Sequence, residues 1–265
     1  MRIRRILLYL SLILADFLAL TIILILNPAL TEQLESSSFL LLFVSELIFI
    51  FPALPLYMLI TKQSLKDILP LKPLGWKNVS YILVMTVLLE PVTWLLSALT
   101  SLLYPNAAME ISAMFSRENL LMALIAIALI PAFVEEICFR GALINASKGM
   151  SIMSAAIING VLFGLIHMNP QQIPYAIFLG IIFSLYVIYT KSVFSSILAH
   201  FFINATNVFL ALGFQDGTET VGSAEDVKAS VIPFAVAAVI FFICFLRVYK
   251  QFRLYNLFRN PINNE

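Results

Sequence analysis

Long apolar stretches separated by short polar links set the hydrophobic pattern of this chain. A window of about 20 apolar residues is long enough to cross a bilayer as a helix. Such windows lie near residues 6–26, 39–61, 79–103, 119–141, 150–168, 173–190, 193–213 and 230–248. This pattern predicts an all-α, polytopic membrane protein built as a bundle of about eight transmembrane helices. The links are too short to hold a soluble domain, so residues 1–265 are predicted to form a single integral membrane domain.

The amino-acid composition supports the same class. Hydrophobic residues make up 61% of the chain and charged residues 12%, whereas a soluble domain is about 45–50% apolar. The bilayer is therefore the expected partner, and no nucleic-acid partner is indicated. Cys138 and Cys244 both lie in apolar windows, which favours helix packing over a disulfide or a cysteine-rich metal site.

The N-terminus superficially resembles a secretory signal, because the basic residues before Ile6 precede an apolar run that ends at Leu26. That run has 21 residues, whereas the apolar core of a signal peptide has about 7–15. It also contains Asp16 and lacks a clear small-residue cleavage site. We therefore interpret it as an uncleaved first span.

Basic residues in the links predict the orientation, since lysine and arginine favour cytoplasmic loops. With the N-terminus inside, all of the 16 lysines and arginines except Arg117 and Lys228 fall on the inner side. The outer links collect the following acidic residues: Glu32, Glu35, Glu110, Glu118, Asp216, Glu219, Glu225 and Asp226. We predict that both termini are cytoplasmic in a multi-pass protein of a prokaryotic cell membrane.

Three carboxylic acids stand alone in the first three apolar windows: Asp16, Glu46 and Glu90. Ionisable groups are costly at bilayer depth and are candidates for function. None of these has a basic neighbour on its own segment, so hydrogen bonding between helices or lining a cavity is favoured over direct catalysis. Pro91 follows Glu90 and is expected to kink the third helix towards a cavity.

The fourth window carries two adjacent carboxylates one turn before a guanidinium. Glu136 and Arg140 are four residues apart, so they share a helix face and can pair, while Glu135 is turned about 100° away. One carboxylate can thus be neutralised while the other stays available. The alternative is a cluster of snorkelling side chains at a helix end, which two adjacent carboxylates fit poorly.

Both histidines of the chain lie in apolar windows, His167 in the fifth and His200 in the seventh. His200 and Asn204 are four residues apart, and two adjacent hydrogen-bond donors suit an oxyanion. The alternative is that each histidine is a satisfied buried polar group. Gly160 and Gly164 form a small-xxx-small pattern that predicts close helix packing.

Three short motifs on separate apolar segments resemble those of the CPBP intramembrane protease family, which contains CAAX proteases of the prenyl protease type 2 kind and bacteriocin-processing proteins. Their conjunction in this order is specific, and residues 119–213 would be the catalytic core. The motifs are Glu135-Glu136-xxx-Arg140, Phe163-xxx-His167 and His200-xxx-Asn204.

The resemblance implies an intramembrane endopeptidase of the glutamic type. Glu135, assisted by His167, would activate water, and His200 with Asn204 would stabilise the tetrahedral oxyanion. The expected substrate is a peptide or protein, with or without a lipid modification, such as a C-terminal CAAX-like, leader or membrane-protein peptide.

The resemblance also implies that Glu136 and Arg140 orient the site and that no metal or other cofactor takes part. Zinc remains the main alternative, because Glu135, His167 and His200 could ligate it with a position left for water. The chain has no HExxH motif, which common zinc proteases carry on a helix.

The predicted spans place Glu135 and His200 near the inner face but His167 near the outer end of the fifth helix. Either the fourth helix continues to about Ser147, or the fifth helix is tilted. We predict that Glu135, His167, His200 and Asn204 converge in a cavity open towards the cytoplasmic half.

Two other functional classes remain open. Buried acids and histidines also form proton relays and ion sites in transporters, although no paired broken helices are visible. A non-catalytic membrane immunity or scaffold protein could keep the same polar residues and bind a partner through its loops.

Overall fold

The structure is a computed structural model that describes residues 2–35, 37–50, 52–105, 119–213 and 224–259. Within these ranges the elements are helices, with one isolated antiparallel bridge between Leu71 and Ser192. The helices are α1 (Arg2–Leu26), α2 (Pro28–Glu35), α3 (Ser38–Ile50), α4 (Ala53–Thr61), α5 (Leu65–Ile68), α6 (Trp76–Ser101), α7 (Leu120–Ala146), α8 (Ile152–Ile166), α9 (Ile173–Thr190), α10 (Phe194–Gly213) and α11 (Ala224–Arg259). The predicted all-α class is confirmed.

Six of the described helices are long and apolar enough to cross a membrane: α1, α6, α7, α9, α10 and α11. The window 39–61 forms two helices of 13 and 9 residues, since Pro52 lies at the break and cannot donate a backbone hydrogen bond. Helix α8 has 15 residues, about 22 Å of helix against about 30 Å of hydrocarbon. The total of eight spans and the orientation therefore stay predictions. Several outer-link residues used for that orientation lie outside the described part of the chain: Glu110, Arg117, Glu118, Asp216 and Glu219.

Helices α8 and α9 pack with their backbones in close approach, as the glycine pattern predicts. A Cβ atom built on Gly160 would lie 2.7 Å from the backbone nitrogen of Ile181, and one on Gly180 would lie 2.7 Å from the Cα atom of Gly160. Gly164 meets the backbone of Ile177 at 3.0 Å in the same way. Larger side chains at these positions would force the two helices apart.

Helix α7 is not a regular α-helix. Two π-helical stretches, Leu124–Leu129 and Ile137–Leu143, flank the α-helical segment Ile130–Glu136. Pro131 has no N–H to give to the carbonyl of Ile127 four residues earlier. Stretches of π-helix are frequent at functional sites, and here they bracket the two adjacent glutamates.

Helices α6 and α11 are joined by a reciprocal amide pair. The side-chain nitrogen of Asn78 donates to Asn256 Oδ1 at 3.1 Å, and that of Asn256 donates to Asn78 Oδ1 at 2.9 Å. Asn256 lies well beyond the apolar window 230–248, so α11 extends past the predicted span. The apolar window therefore marks only the most apolar part of a longer helix.

Candidate active site

A buried ion-paired chain of three side chains lies at the centre of the candidate site. Arg140 Nη1 is 3.0 Å from Glu136 Oε1, and His200 Nδ1 is 2.9 Å from the same oxygen. Glu136 and Arg140 have no exposed surface, and His200 is 7% exposed. The predicted pair within α7 is therefore confirmed, and it is joined across helices by the histidine of α10.

The Arg140 guanidinium is enclosed by aromatic rings and a backbone carbonyl. Its Cζ atom lies 4.2 Å from the centre of the Phe163 ring and 5.6 Å from that of Phe183. Its Nη2 atom donates to the carbonyl oxygen of Gly180 at 3.4 Å. A guanidinium held by a carboxylate, a carbonyl and two rings has little freedom to leave its position.

His167 lies directly after the last residue of α8, and its ring stands against Phe163. Its Nδ1 atom is 2.8 Å from the carbonyl oxygen of Phe163. A carbonyl can only accept, so Nδ1 carries the hydrogen and Nε2 keeps its lone pair when the ring is neutral. The imidazole therefore offers a basic nitrogen at its far end.

The two histidines share one aromatic neighbour. The Phe163 ring centre is 5.0 Å from that of His167 and 6.0 Å from that of His200, both in edge-to-face contact. Helix α7 continues to Ala146, as one of the two predicted solutions to the depth difference requires. His167 and His200, which were predicted to lie at different depths, thus both pack against the Phe163 ring.

His200 has a defined tautomer for the same reason as His167. The carboxylate of Glu136 accepts the hydrogen on Nδ1, which leaves Nε2 at the opposite side of the ring. Nε2 can donate a hydrogen bond only when the imidazole is protonated. The neighbouring carboxylate stabilises that positive charge.

Asn204 does not hydrogen-bond to His200, although both lie on one face of α10. Its side-chain nitrogen donates to the carbonyl oxygen of Ile127 at 3.0 Å. That carbonyl receives no hydrogen bond from residue 131, four positions later, because residue 131 is proline. One amide hydrogen of Asn204 is thereby committed to α7, and the second is left to donate elsewhere.

Glu135 is nearly buried, at 9% exposed, and its Oε2 atom has no hydrogen-bond partner among the described residues. Its carboxyl group interacts electrostatically with the guanidinium of Arg140 and with the carboxyl group of Glu46. Residue spacing could not pair Glu46 with Glu135, because this interaction joins two separate helices, α3 and α7. No hydrogen bond joins Glu135 to His167 in the described part of the chain, where the His167 ring is bonded through Nδ1 to the carbonyl oxygen of Phe163.

The described residues contain no group of three or more His, Cys, Asp or Glu side chains placed to hold a metal ion. Ligation of zinc by Glu135, His167 and His200 would need these side chains to move from their present positions.

Glu90 lies away from the candidate site, in a separate groove on the other side of α10. That position agrees with its interpretation as a residue that lines a cavity.

Residues 117–206 match the sequence family described as "Type II CAAX prenyl endopeptidase Rce1-like". The resemblance to the CPBP family is confirmed. The matched segment contains all three motifs and covers about a third of the chain. Comparisons with curated proteins and with solved structures found no match. The matched segment is similar to CAAX-type membrane proteases, whose substrates are peptides or proteins, and the six apolar helices support an integral, multi-pass membrane protein.

Proposed function

We propose that this chain is an intramembrane endopeptidase of the glutamic type, in which side chains alone activate the water and hold the oxyanion. The observation that carries the proposal is the buried chain from Arg140 through Glu136 to His200. It joins two of the three motifs across helices and fixes which nitrogen of His200 faces away from the carboxylate.

Glu135 and His167 are proposed to activate the water. Glu135 Oε2 has no partner within the described residues, and His167 keeps a basic Nε2 because its Nδ1 is bonded to Phe163. A carboxylate and an imidazole nitrogen that are both free to accept can hold one water molecule between them. Removal of its proton yields the nucleophile for the scissile carbonyl, and the proton then passes to the leaving amine.

His200 and Asn204 are proposed to stabilise the oxyanion. A protonated His200 donates from Nε2, and Asn204 donates through the amide hydrogen not bound to Ile127. Such donors lower the barrier most when they are fixed before the negative charge develops. Glu136 holds the imidazolium, and Arg140 keeps Glu136 ionised, so these two residues orient the site without touching the substrate.

The finer features of the protein belong to the same proposal. We propose that the protein crosses a prokaryotic cell membrane about eight times and has both termini in the cytoplasm. The site would open towards the cytoplasmic half and receive a CAAX-like, leader or membrane-protein peptide, with or without a lipid modification.

Cleavage of a peptide library by the purified full-length chain tests the proposal. We expect Glu135→Gln and His200→Ala to lower cleavage by about 100-fold or more. Glu90→Gln is the matched control, since it changes another buried glutamate remote from the motifs, and it should retain cleavage. Undiminished cleavage by both site variants would remove the proposed site.

Two further measurements separate the alternatives. Cleavage lost on treatment with a chelator and restored by zinc would replace the metal-free mechanism with ligation by Glu135, His167 and His200. Solute flux through vesicles that is abolished by the same substitutions, with no cleavage, would favour a transporter.

A further inference from the structure

A second polar site lies in an apolar groove between α6, α10 and α11. The groove has a volume of about 550 Å³, within the range of about 300–1,000 Å³ that is typical of small-molecule sites. It is lined by Val87, Glu90, Pro91, Trp94, Phe202, Thr206, Pro233, Phe234, Ala237 and Phe241. Nothing in the three motifs accounts for it, because His200 and Asn204 lie on the opposite face of α10.

Among the described residues that line the groove, Glu90 is the one ionisable residue, and it is 4% exposed. Neither of its carboxyl oxygens has a hydrogen-bond partner among the described residues. Thr206 lies beside the carboxyl group, but its hydroxyl donates to the carbonyl oxygen of Phe202 at 2.9 Å. A buried carboxyl group without partners costs several kcal/mol in an apolar setting, so a ligand that supplies donors would bind favourably.

The backbone adds another acceptor. Pro91 has no N–H to give to the carbonyl of Val87, which also lines the groove. The two Glu90 oxygens are acceptors for the N–H donors of a primary ammonium group, and the Val87 carbonyl is a further acceptor on the same helix. The aromatic residues of the groove, with the rings of Trp94 and Phe234 6.2 Å apart, add faces that attract a cation.

The groove is open at the outer, apolar surface of the helices. Val87 is 46% exposed and Phe241 is 37% exposed, and both belong to apolar helices long enough to span a membrane. A molecule that enters here comes from the bilayer and needs an apolar tail.

We propose that this groove binds a single-chain lipid amine, with its ammonium group on Glu90 and its hydrocarbon chain along the aromatic residues. Charge decides between this occupant and a fatty acid, because a second carboxylate would be repelled by Glu90. A fatty alcohol supplies one donor where the amine supplies three.

Tryptophan fluorescence offers a direct test, because the chain has two tryptophans and only one lines the groove. Trp76 is 81% exposed, and Trp76→Phe leaves Trp94 as the sole reporter. Dibrominated octadecylamine, octadecanol and octadecanoic acid are titrated into the full-length protein in vesicles. We expect saturable quenching by the amine, at least about tenfold tighter than by the acid.

Glu90→Gln should weaken binding of the amine about tenfold or more and leave binding of the alcohol unchanged. Asp16→Asn is the matched control, as an isosteric change of another acid in an apolar helix, and should alter neither. Ala237→Phe fills the groove and keeps the Glu90 carboxyl group, and it should abolish binding of both probes, which keeps the test decisive if Glu90→Gln fails to fold. Quenching that never saturates, equal affinity for all three probes, or amine binding unaffected by Glu90→Gln and Ala237→Phe would overturn the proposal.

Discussion

A buried glutamate lies against each of two opposite faces of α10, and the two glutamates differ in their partners. On one face Glu136 is fully buried and is bonded to Arg140 and His200 through a single oxygen. On the other face Glu90 is almost as deeply buried and has no hydrogen-bond partner among the described residues. The first carboxylate holds neighbouring groups in place, whereas the second has none of its hydrogen bonds supplied by the described residues. Burial alone therefore does not identify the working carboxylate.

Removal of the positive charge from the paired face should have the largest effect. Arg140→Met leaves Glu136 buried beside a histidine alone, and loss of one partner of a buried ion pair costs about 3–5 kcal/mol. Glu90→Met removes an unpaired acid and should be neutral or stabilising. Thermal unfolding of both variants in detergent compares the two faces, and equal losses of stability would contradict the distinction.

Truncation of the amide on the site face should lower activity without unfolding the protein. Asn204→Ala removes a donor to the proposed oxyanion, which typically reduces turnover about 100-fold to 1,000-fold. Thr206→Val is the matched change on the groove face of the same helix and should keep cleavage near the wild-type rate. Peptide cleavage at saturating substrate measures both, and a larger loss in Thr206→Val would reverse the roles of the two faces.

Packing should distinguish the two sides as well. Gly160→Ala places a methyl group against the backbone of α9, and overpacking of this kind costs about 1–3 kcal/mol. Val87→Leu adds a methylene in the groove, where cavity filling changes stability by about 0.5–2 kcal/mol in the favourable direction. Denaturation midpoints that fall equally in the two variants would mean that the groove is not open.

The smallest effect on stability is expected for a solvent-exposed carboxylate, that of Asp67. Ser64 donates its hydroxyl at 2.6 Å and its backbone N–H at 2.8 Å to Asp67 Oδ2. These hydrogen bonds, together with nearby Lys148, lower the pKa of Asp67 below its ordinary value. The stabilisation is thus present at neutral pH and is lost as the pH falls below about 4. Unfolding temperatures of wild type and Asp67→Asn should differ slightly at pH 7 and converge in acid, and a difference that grows in acid would be inconsistent with this pairing.

Hydropathy predicted the helical class because apolar length is a property of local sequence. It did not predict the break at Pro52 or the π-helical stretches of α7, because apolar windows count side chains and not backbone hydrogen bonds. Pro52 and Pro131 were the available signals, since each removes a donor from its helix.

The candidate site was predictable only within single helices. The spacing of Glu136 and Arg140 gave their pairing directly, whereas the contact of His200 with Glu136 joins α10 to α7 and has no signature in either segment. Spacing also places Asn204 on the same face of α10 as His200, but it does not show that one of its amide hydrogens is bonded to Ile127. Contacts between helices depend on packing angles that one sequence does not contain.

The close approach of Gly160 and Gly180 has a consequence for motion. Backbones this close leave no room for one helix to slide past the other, so α8 and α9 should move as one body that carries His167 and the carbonyl holding Arg140. A peptide that reaches the site must then gain its space from displacement of other helices. Displacement is therefore expected in α1, α3 or α10. The α8–α9 pair would stay fixed while these helices move to open the site.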